Sequence, residues 1–502
     1  MQHPVPNDSV TSSDVLALFV VVIVALVLDF AFAQRVPLDS RFHWDGTYYL
    51  AYAKDIGPLL ASKSIDEYSL SRIFPSALVH AGLRATKVGF AAETILYGFA
   101  VLNGFAVLIA VAAWSWIARL LNLDRFQFVL GAASFFINFC FLKYNSFYPI
   151  TTDVVAFTLS LLMILSYLRR AQVWLLVLSV LGAFSWPILL PVGVILLALP
   201  RDVSAKENAS IDRLSQYTDR LGVSSQVAAV LLGVAATLVA AFIYYGRGYV
   251  HPGAPIVDMV APLSIAFVGL YSGFACVGLL PMSADIRAIV GRWREYLGPL
   301  LLATGLFLVI KFLFQFLASS QPGRNTFGEF LLATFSNAIK EPGVFLVAHF
   351  AFFGPVVVLA LFKWIAACRV AQQFGPGYVA VTLISLGLAI GSESRQLMAN
   401  VAFLIIPVIA ATRLAGWRVP VFLGGFIFVG LVLSRIWIDL DVERLVFAYA
   451  AYLEYPWQWF FGAIGYWMTP QLYVIHLAAM MAAAAFMGAM LRSPRRELEP
   501  GA

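Results

Sequence analysis

The stretch 173–199, "VWLLVLSVLGAFSWPILLPVGVILLAL", decides how this chain is threaded. It is apolar over 27 residues, long for one membrane helix, and is interrupted by "SWP" at 185–187 and again by Pro191. A helix needs roughly 20 apolar residues to cross the hydrocarbon core. Proline removes a backbone donor and disfavours helix in the residue before it. The stretch therefore reads either as one kinked helix or as two short helices forming a hairpin.

The basic residues choose between them. With a hairpin and a cytoplasmic N-terminus, the cytoplasmic segments hold eighteen Lys and Arg: 119, 125, 169, 170, 201, 206, 213, 220, 287, 292, 294, 363, 369, 413, 418, 492, 495 and 496. The outer segments beyond the first loop hold six: Lys143, Arg247, Arg324, Lys340, Arg395 and Arg444. A single kinked helix would invert everything after residue 200 and put most of the eighteen outside. Lys and Arg accumulate on the cytoplasmic side, so the hairpin is expected, with both termini cytoplasmic.

Working outward, spans are read near 15–34, 93–118, 127–142, 153–168, the two halves of 173–199, 226–245, 263–281, 297–317, 343–362, 378–391, 396–412, 419–439 and 471–491. The fold class is thus an all-α polytopic membrane protein of about 13–14 segments, with residues 1–502 as a single transmembrane domain. Composition agrees. Apolar residues make up 61% and charged residues 12%, and mean hydropathy is +0.86, whereas soluble domains carry about 25% charged residues. The runs lack the alternation of a membrane barrel. The net charge of +6 is spread over short interspan clusters, a pattern that orients a membrane protein and does not build a nucleic-acid surface. Cys140, Cys276 and Cys368 lie far apart and have no disulfide or zinc spacing. The first run has neither a basic n-region nor a cleavage site, so an uncleaved helix is expected. Residues 201–225 read as a cytoplasmic loop, and 35–92 as a long first outer loop whose amphipathic stretch 70–93 predicts helices along the outer surface.

Three outer segments carry candidate chemistry. The first is "RFHWDGTYYLAYAKDIG", 41–57, with Asp45 among His43, Trp44, Tyr48 and Tyr49. Aromatic faces stack on sugar rings, and a carboxylate accepts a hydroxyl proton as general base. A solvated carboxylate beside an interfacial aromatic belt would look the same. The second is "KYNSFYPITTD", 143–153, ending in Asp153; Thr151, Thr152 or Asp153 serving only as a helix cap is the plainer reading. The third is "GSESRQLMANVAFLIIP", 391–407, with Glu393 and Arg395 in a tight turn. Arg presents a planar fork suited to phosphate. Lys311 and Arg435 lie inside apolar runs, where charges are rare and either functional or snorkelling. His349 and His251 read as packing residues, and Asp439, Asp441 and Glu443 as a solvated helix end.

An early W-D-G-x-Y-Y (44–49) after the first membrane helix, with R-x-F-P (72–75) in the same loop, resembles the GT-C superfamily of integral membrane glycosyltransferases. The E-x-R at 393–395, followed by Pro407, is similar to a turn in the mannosyltransferases of that group, without their preceding His-Lys. The resemblance implies a polyprenyl-phosphate-linked sugar as donor and a lipid, polysaccharide or protein acceptor. It places the reaction on the outer face of the plasma membrane, or on the equivalent lumenal face. It implies Asp45 as catalytic base, Asp153 facing it across one cavity, and Arg72, Arg395, Lys311 or Arg435 on the lipid phosphate, with Glu393 in support. Some members hold a divalent metal between such a carboxylate pair and others do not. Neither loop here has a D-x-D, so no cofactor is expected. The rival reading is a transporter or flippase of a lipid-linked saccharide, which needs polar groups at the midplane and broken helices in paired halves.

Overall fold

The computed structural model describes residues 9–36, 45–201, 223–246, 255–279, 293–319, 327–440 and 468–492. Most of the 201–225 loop, residues 441–467 with Asp441 and Glu443, and the positions His43, Trp44 and His251 lie outside them. The described residues are helical, without a strand; one isolated bridge joins Ser9 to Asp124. Seven helices are long and apolar enough to cross a bilayer, and an eighth span arises if the bent pair Arg125–Phe136 and Cys140–Phe147 counts as one. The chain is a multi-pass helical membrane protein. Seven further apolar helices of 10–17 residues occupy other expected spans. They are short because Gly, Pro or a polar turn breaks each apolar run before it reaches bilayer length.

The N-terminal half positions the site. Helix α1 (Ser12–Phe32) starts at a capping box, in which Thr11 accepts from the Asp14 amide while the Asp14 carboxylate accepts from that of Thr11. The first loop then folds into α2 (Gly46–Ala61), the single turn α3 (Glu67–Leu70) and α4 (Ile73–Thr86). Helix α2 kinks at Asp55, three residues before Pro58, whose ring removes the donor to residue 54. Helix α4 packs on α2 and on α5 (Ala92–Leu120), and His80 Nδ1 sits 2.9 Å from the Ala53 carbonyl between α4 and α2.

Helix α6 (Arg125–Phe136) also begins with a capping box, Asp124 with Gln127. The Gln127 carboxamide donates onward to the Ile409, Ala410 and Thr412 carbonyls at 2.9–3.3 Å. Those include orphan acceptors at the end of helix Val401–Ala410, so one side chain joins two distant parts of the chain. After α6 the chain bends by 49° into Cys140–Phe147, which begins as a π-helical turn, and helix α7 (Asp153–Leu168) follows.

The opening stretch is a hairpin. Helices α8 (Gln172–Ala183) and α9 (Leu189–Ala198) pack on each other. A Cβ on Gly193 would lie 2.1 Å from Ser179 Oγ, and one on Gly182 would lie 2.9 Å from Leu189 Cβ. The two pairs close around Ser185–Pro187, so the two halves run antiparallel, as the charge count expects. Buried side chains from α1 to Pro470–Leu491, the last described helix, form one core, and a smaller one gathers round Ala240, Ala261, Val268 and Phe345.

Candidate functional site

Four separate segments meet at one end of the bundle. Asp45 is the N-cap residue of α2, a position where Asp normally caps, yet its side chain makes no cap hydrogen bond. It points instead to Arg72, whose Nη1 lies 2.7 Å from Asp45 Oδ2. One turn into α2, Tyr49 OH stands 3.4 Å from the same carboxylate oxygen and 3.2 Å from Arg72 Nη1. Tyr49, at 1% exposure, and the nearby Tyr68 are pushed above the ordinary phenol range by burial. Both are therefore neutral O–H donors at physiological pH.

The second carboxylate arrives from the loop before α7. Asn103 of α5 holds that loop, donating to Asn145 Oδ1 at 2.9 Å and to the Pro149 carbonyl at 2.7 Å. Capping is not what its polar residues do: Thr152, the N-cap, makes no cap hydrogen bond, and Thr151 donates to the Tyr148 carbonyl. Asp153, fully buried, faces Arg395 Nε, which is 3.1 Å from Oδ1 and 3.2 Å from Oδ2. The other arm of the same guanidinium, Nη2, is 3.8 Å from Asp45 Oδ2. Asp45 and Asp153, 108 positions apart in sequence, thus share one cation.

The turn carrying Arg395 is fixed from behind by His349. Its two ring nitrogens lie 2.9 Å from Ser394 Oγ and 3.0 Å from the Ala389 carbonyl, so the residue read as packing bonds at both nitrogens. Glu393 does not ion-pair with Arg395. It accepts a 2.7 Å hydrogen bond from Gln396, and burial pushes its carboxyl above the usual range, with Arg395 opposing.

Sequence reasoning missed Trp186. The "SWP" break sets this indole at the hairpin turn, where the Arg72 guanidinium stacks on it at 4.1 Å and that of Arg395 lies at 5.5 Å. The Phe74 amide of α4 donates to the Phe184 carbonyl at 2.8 Å, which brings the start of α4 against the turn. Tyr68 covers the opposite side of Arg72 at 4.2 Å. The charge count already put this turn on the side of the three polar loops, and that was the available signal.

Other expected residues stand elsewhere. Lys311 pairs with Glu67 of α3, so its charge answers a carboxylate of the first loop. Arg435 sits with Nη2 3.2 Å from His476 Nε2 and its guanidinium over Trp437, outside the cluster. Tyr48 leans on Tyr52, with ring centroids 6.4 Å apart. His43 and Trp44 are outside the described residues. Among the described residues no group of three or more His, Cys, Asp or Glu is placed to hold a metal, and Asp45 and Asp153 each face a guanidinium.

No family model, curated protein or solved structure matches this chain. The chemistry has to be argued from the cluster itself. Arg72 Nε, Arg395 Nη2 and Thr152 Oγ1 are buried without a hydrogen-bond partner, and Thr152 adjoins Asp153 in sequence. Buried polar atoms of this kind are rare in native structures and call for a partner. Here all three can donate. They suit a ligand rich in acceptor oxygen.

Proposed function

We propose that this chain is a membrane glycosyltransferase of the GT-C kind. It transfers a sugar from a polyprenyl-phosphate donor to a hydroxyl of a lipid, polysaccharide or protein acceptor. The observation that carries the reading is one cluster holding a part-exposed carboxylate, Asp45, beside two buried guanidiniums, each with a donor unused by protein.

The roles follow from charge flow. The acceptor O–H proton passes to Asp45 as the acceptor oxygen bonds to the anomeric carbon. The bond from that carbon to the phosphate oxygen breaks, and its electron pair stays on the phosphate. Negative charge grows on the leaving group, where Arg72 and Arg395 donate in forks that fit phosphate oxygens. Stacking on Trp186 and Tyr68 holds the Arg72 plane while that charge develops. Asp153 orients Arg395 from the other side.

In this reading the reaction lies on the outer face of the plasma membrane, in a chain of about 13–14 segments with cytoplasmic termini, as the basic-residue count favours. Broken helices also serve transporters; the placement of Trp186, from the break at 184–188, against both arginines is what favours transfer. Purified protein in nanodiscs, supplied with radiolabelled polyprenyl-phosphate sugars and a membrane extract as acceptor, is expected to release polyprenyl phosphate and label the acceptor. Movement of intact donor across the bilayer without release of polyprenyl phosphate would make it a flippase.

A further inference from the structure

A cavity of about 680 Å³ lies between α1, the segment Cys140–Phe147 and residues 436–439, away from the Asp45 cluster. Ligand sites commonly fall between about 300 and 1,000 Å³. Asp29, Gln34, Lys143, Asn145, Ser146 and Asp439 supply polar groups to it, and Leu26, Phe141 and Trp437 are among its apolar walls. Helix α1 is almost unburied by the rest of the chain. Phe32 and Trp437 stand 82% and 63% exposed on the cavity's outer side, so its mouth opens to the surrounding bilayer.

The charges inside are unlike those of a packing defect. Lys143, 6% exposed, uses one N–H on Gln34 Oε1 at 3.2 Å and reaches no carboxylate within ion-pair distance. The Gln34 carboxamide oxygen has no acceptor capacity left over, since it also accepts from the Leu440 amide while Nε2 donates to the Leu440 carbonyl. Asp29, half-buried, accepts from Ser146 Oγ and likewise reaches no cation. A buried charge is costly unless paired. Asp439 also lines the cavity and acts on Lys143 from a distance, but Lys143 and Asp29 do not meet, and the space between them suits a group carrying both signs.

We propose that this cavity binds the headgroup of a zwitterionic phospholipid, the phosphate taken by Lys143 and the primary ammonium by Asp29, with the acyl chains leaving past Phe32 and Trp437. A neutral polyol would leave both charges unpaired, and a purely anionic head would leave Asp29 unanswered beside a second anion. The inference does not depend on the transfer reaction. The same segment nevertheless forms the wall between the two sites, because Cys140 touches Met398 and Tyr144 packs on Phe352 on its other face.

Native mass spectrometry of the full chain, exchanged into equimolar phosphatidylethanolamine, phosphatidylcholine and phosphatidylglycerol, tests this without an activity readout. One phosphatidylethanolamine should be retained at least about tenfold over the others, the scale of one charge-assisted hydrogen bond. Asp29→Asn should bring phosphatidylethanolamine down to the level of phosphatidylglycerol, Lys143→Met should lose both, and Lys143→Arg should keep the preference. Equal retention of the three lipids by the unaltered protein overturns the site, as does a preference unchanged in both Asp29→Asn and Lys143→Met. Displacement of the lipid by millimolar free phosphoethanolamine would show a soluble ligand and overturn the lipid assignment. The lipid competition needs no variant, so a substitution that fails to fold does not remove the test.

Discussion

Arg395 Nε lies 3.1 Å from Asp153 Oδ1, and both side chains are buried. Their contact closes a loop of 242 residues. The sequence reading gave Arg395 to a lipid phosphate alone, but the guanidinium already holds a protein carboxylate with one edge and has Nη2 left for a ligand. The two roles are compatible because a guanidinium has five donors.

Removing one member of a buried pair strands the other. Arg395→Ala is expected to destabilise the protein by about 3–5 kcal/mol, lowering its thermal midpoint in detergent. The joint change Arg395→Met with Asp153→Leu should recover most of that loss while remaining inactive, since apolar replacement of both partners is often neutral or stabilising. A fluorescence-detected melting series over the unaltered protein and the two variants reads this directly. Equal stability of the single and double variants would mean that the pair carries no structural weight.

Trp186 gives a second expectation. Arginine stacking on an indole contributes about 0.5–2 kcal/mol, so Trp186→Ala should raise the Michaelis constant for the lipid-linked donor by roughly 2–30-fold. Trp186→Phe should recover part of it. Arg72→Lys should be worse than Trp186→Phe, because an ammonium neither forks onto phosphate nor stacks as a plane.

Asp45, Arg72, Asp153 and Arg395 were readable because each is a charge that bilayer chemistry does not require, placed in a segment that the basic-residue count puts on one side. Trp186 was not readable as a site residue. In a chain with 12 tryptophans, one at a helix break looks like any interfacial aromatic, and only packing of α4 against the hairpin turn gives it two guanidiniums. Lys311 and Arg435 show the converse. Depth in an apolar run marks a charge as unusual but does not name its partner, which for Lys311 is Glu67 in a one-turn helix too short to show periodicity. Span count was legible only coarsely, since a hydropathy window sums across the breaks that divide short helices.

The neighbours Lys340 and Glu341, both buried in the turn before Val344–Phe353, predict a pH dependence. Burial pushes Glu341 up to about 7 and Lys340 down to about 8, each opposed by the other's charge. For Glu341 the folded state holds its proton longer than the unfolded chain, so stability falls as pH rises from about 4.5 to about 7. For Lys340 the folded state gives up its proton sooner, so stability rises again from about pH 8 to about 10.5. The pair's contribution is therefore lowest between pH 7 and 8. Glu341→Gln should remove the acid-side fall and raise the thermal midpoint at pH 7.5, measured as a melting profile across pH 4.5–9. An unchanged profile would mean that water or lipid already solvates both charges.

The last expectation concerns the carboxylate that the aromatic loop presents. A general base contributes about 10²–10⁴-fold, so Asp45→Asn should cut turnover by that order. The amide keeps the shape of the acid but cannot accept the acceptor's proton. It also weakens the 2.7 Å contact to Arg72, so donor affinity is the informative companion measurement. If Asp45 serves the acceptor, donor binding should hold or tighten, because Arg72 is freed for the phosphate. If Asp45 serves only to hold Arg72 in place, donor binding should weaken in step with turnover. Asp55→Asn is the control in the same helix. Asp55 is exposed, lies at the α2 kink and makes no contact with the cluster, so its loss should leave transfer within about twofold, as expected for a surface change. Near-normal transfer by Asp45→Asn with purified donor and acceptor would remove the base from the mechanism and leave the Asp45–Arg72 pair as a brace between α2 and α4.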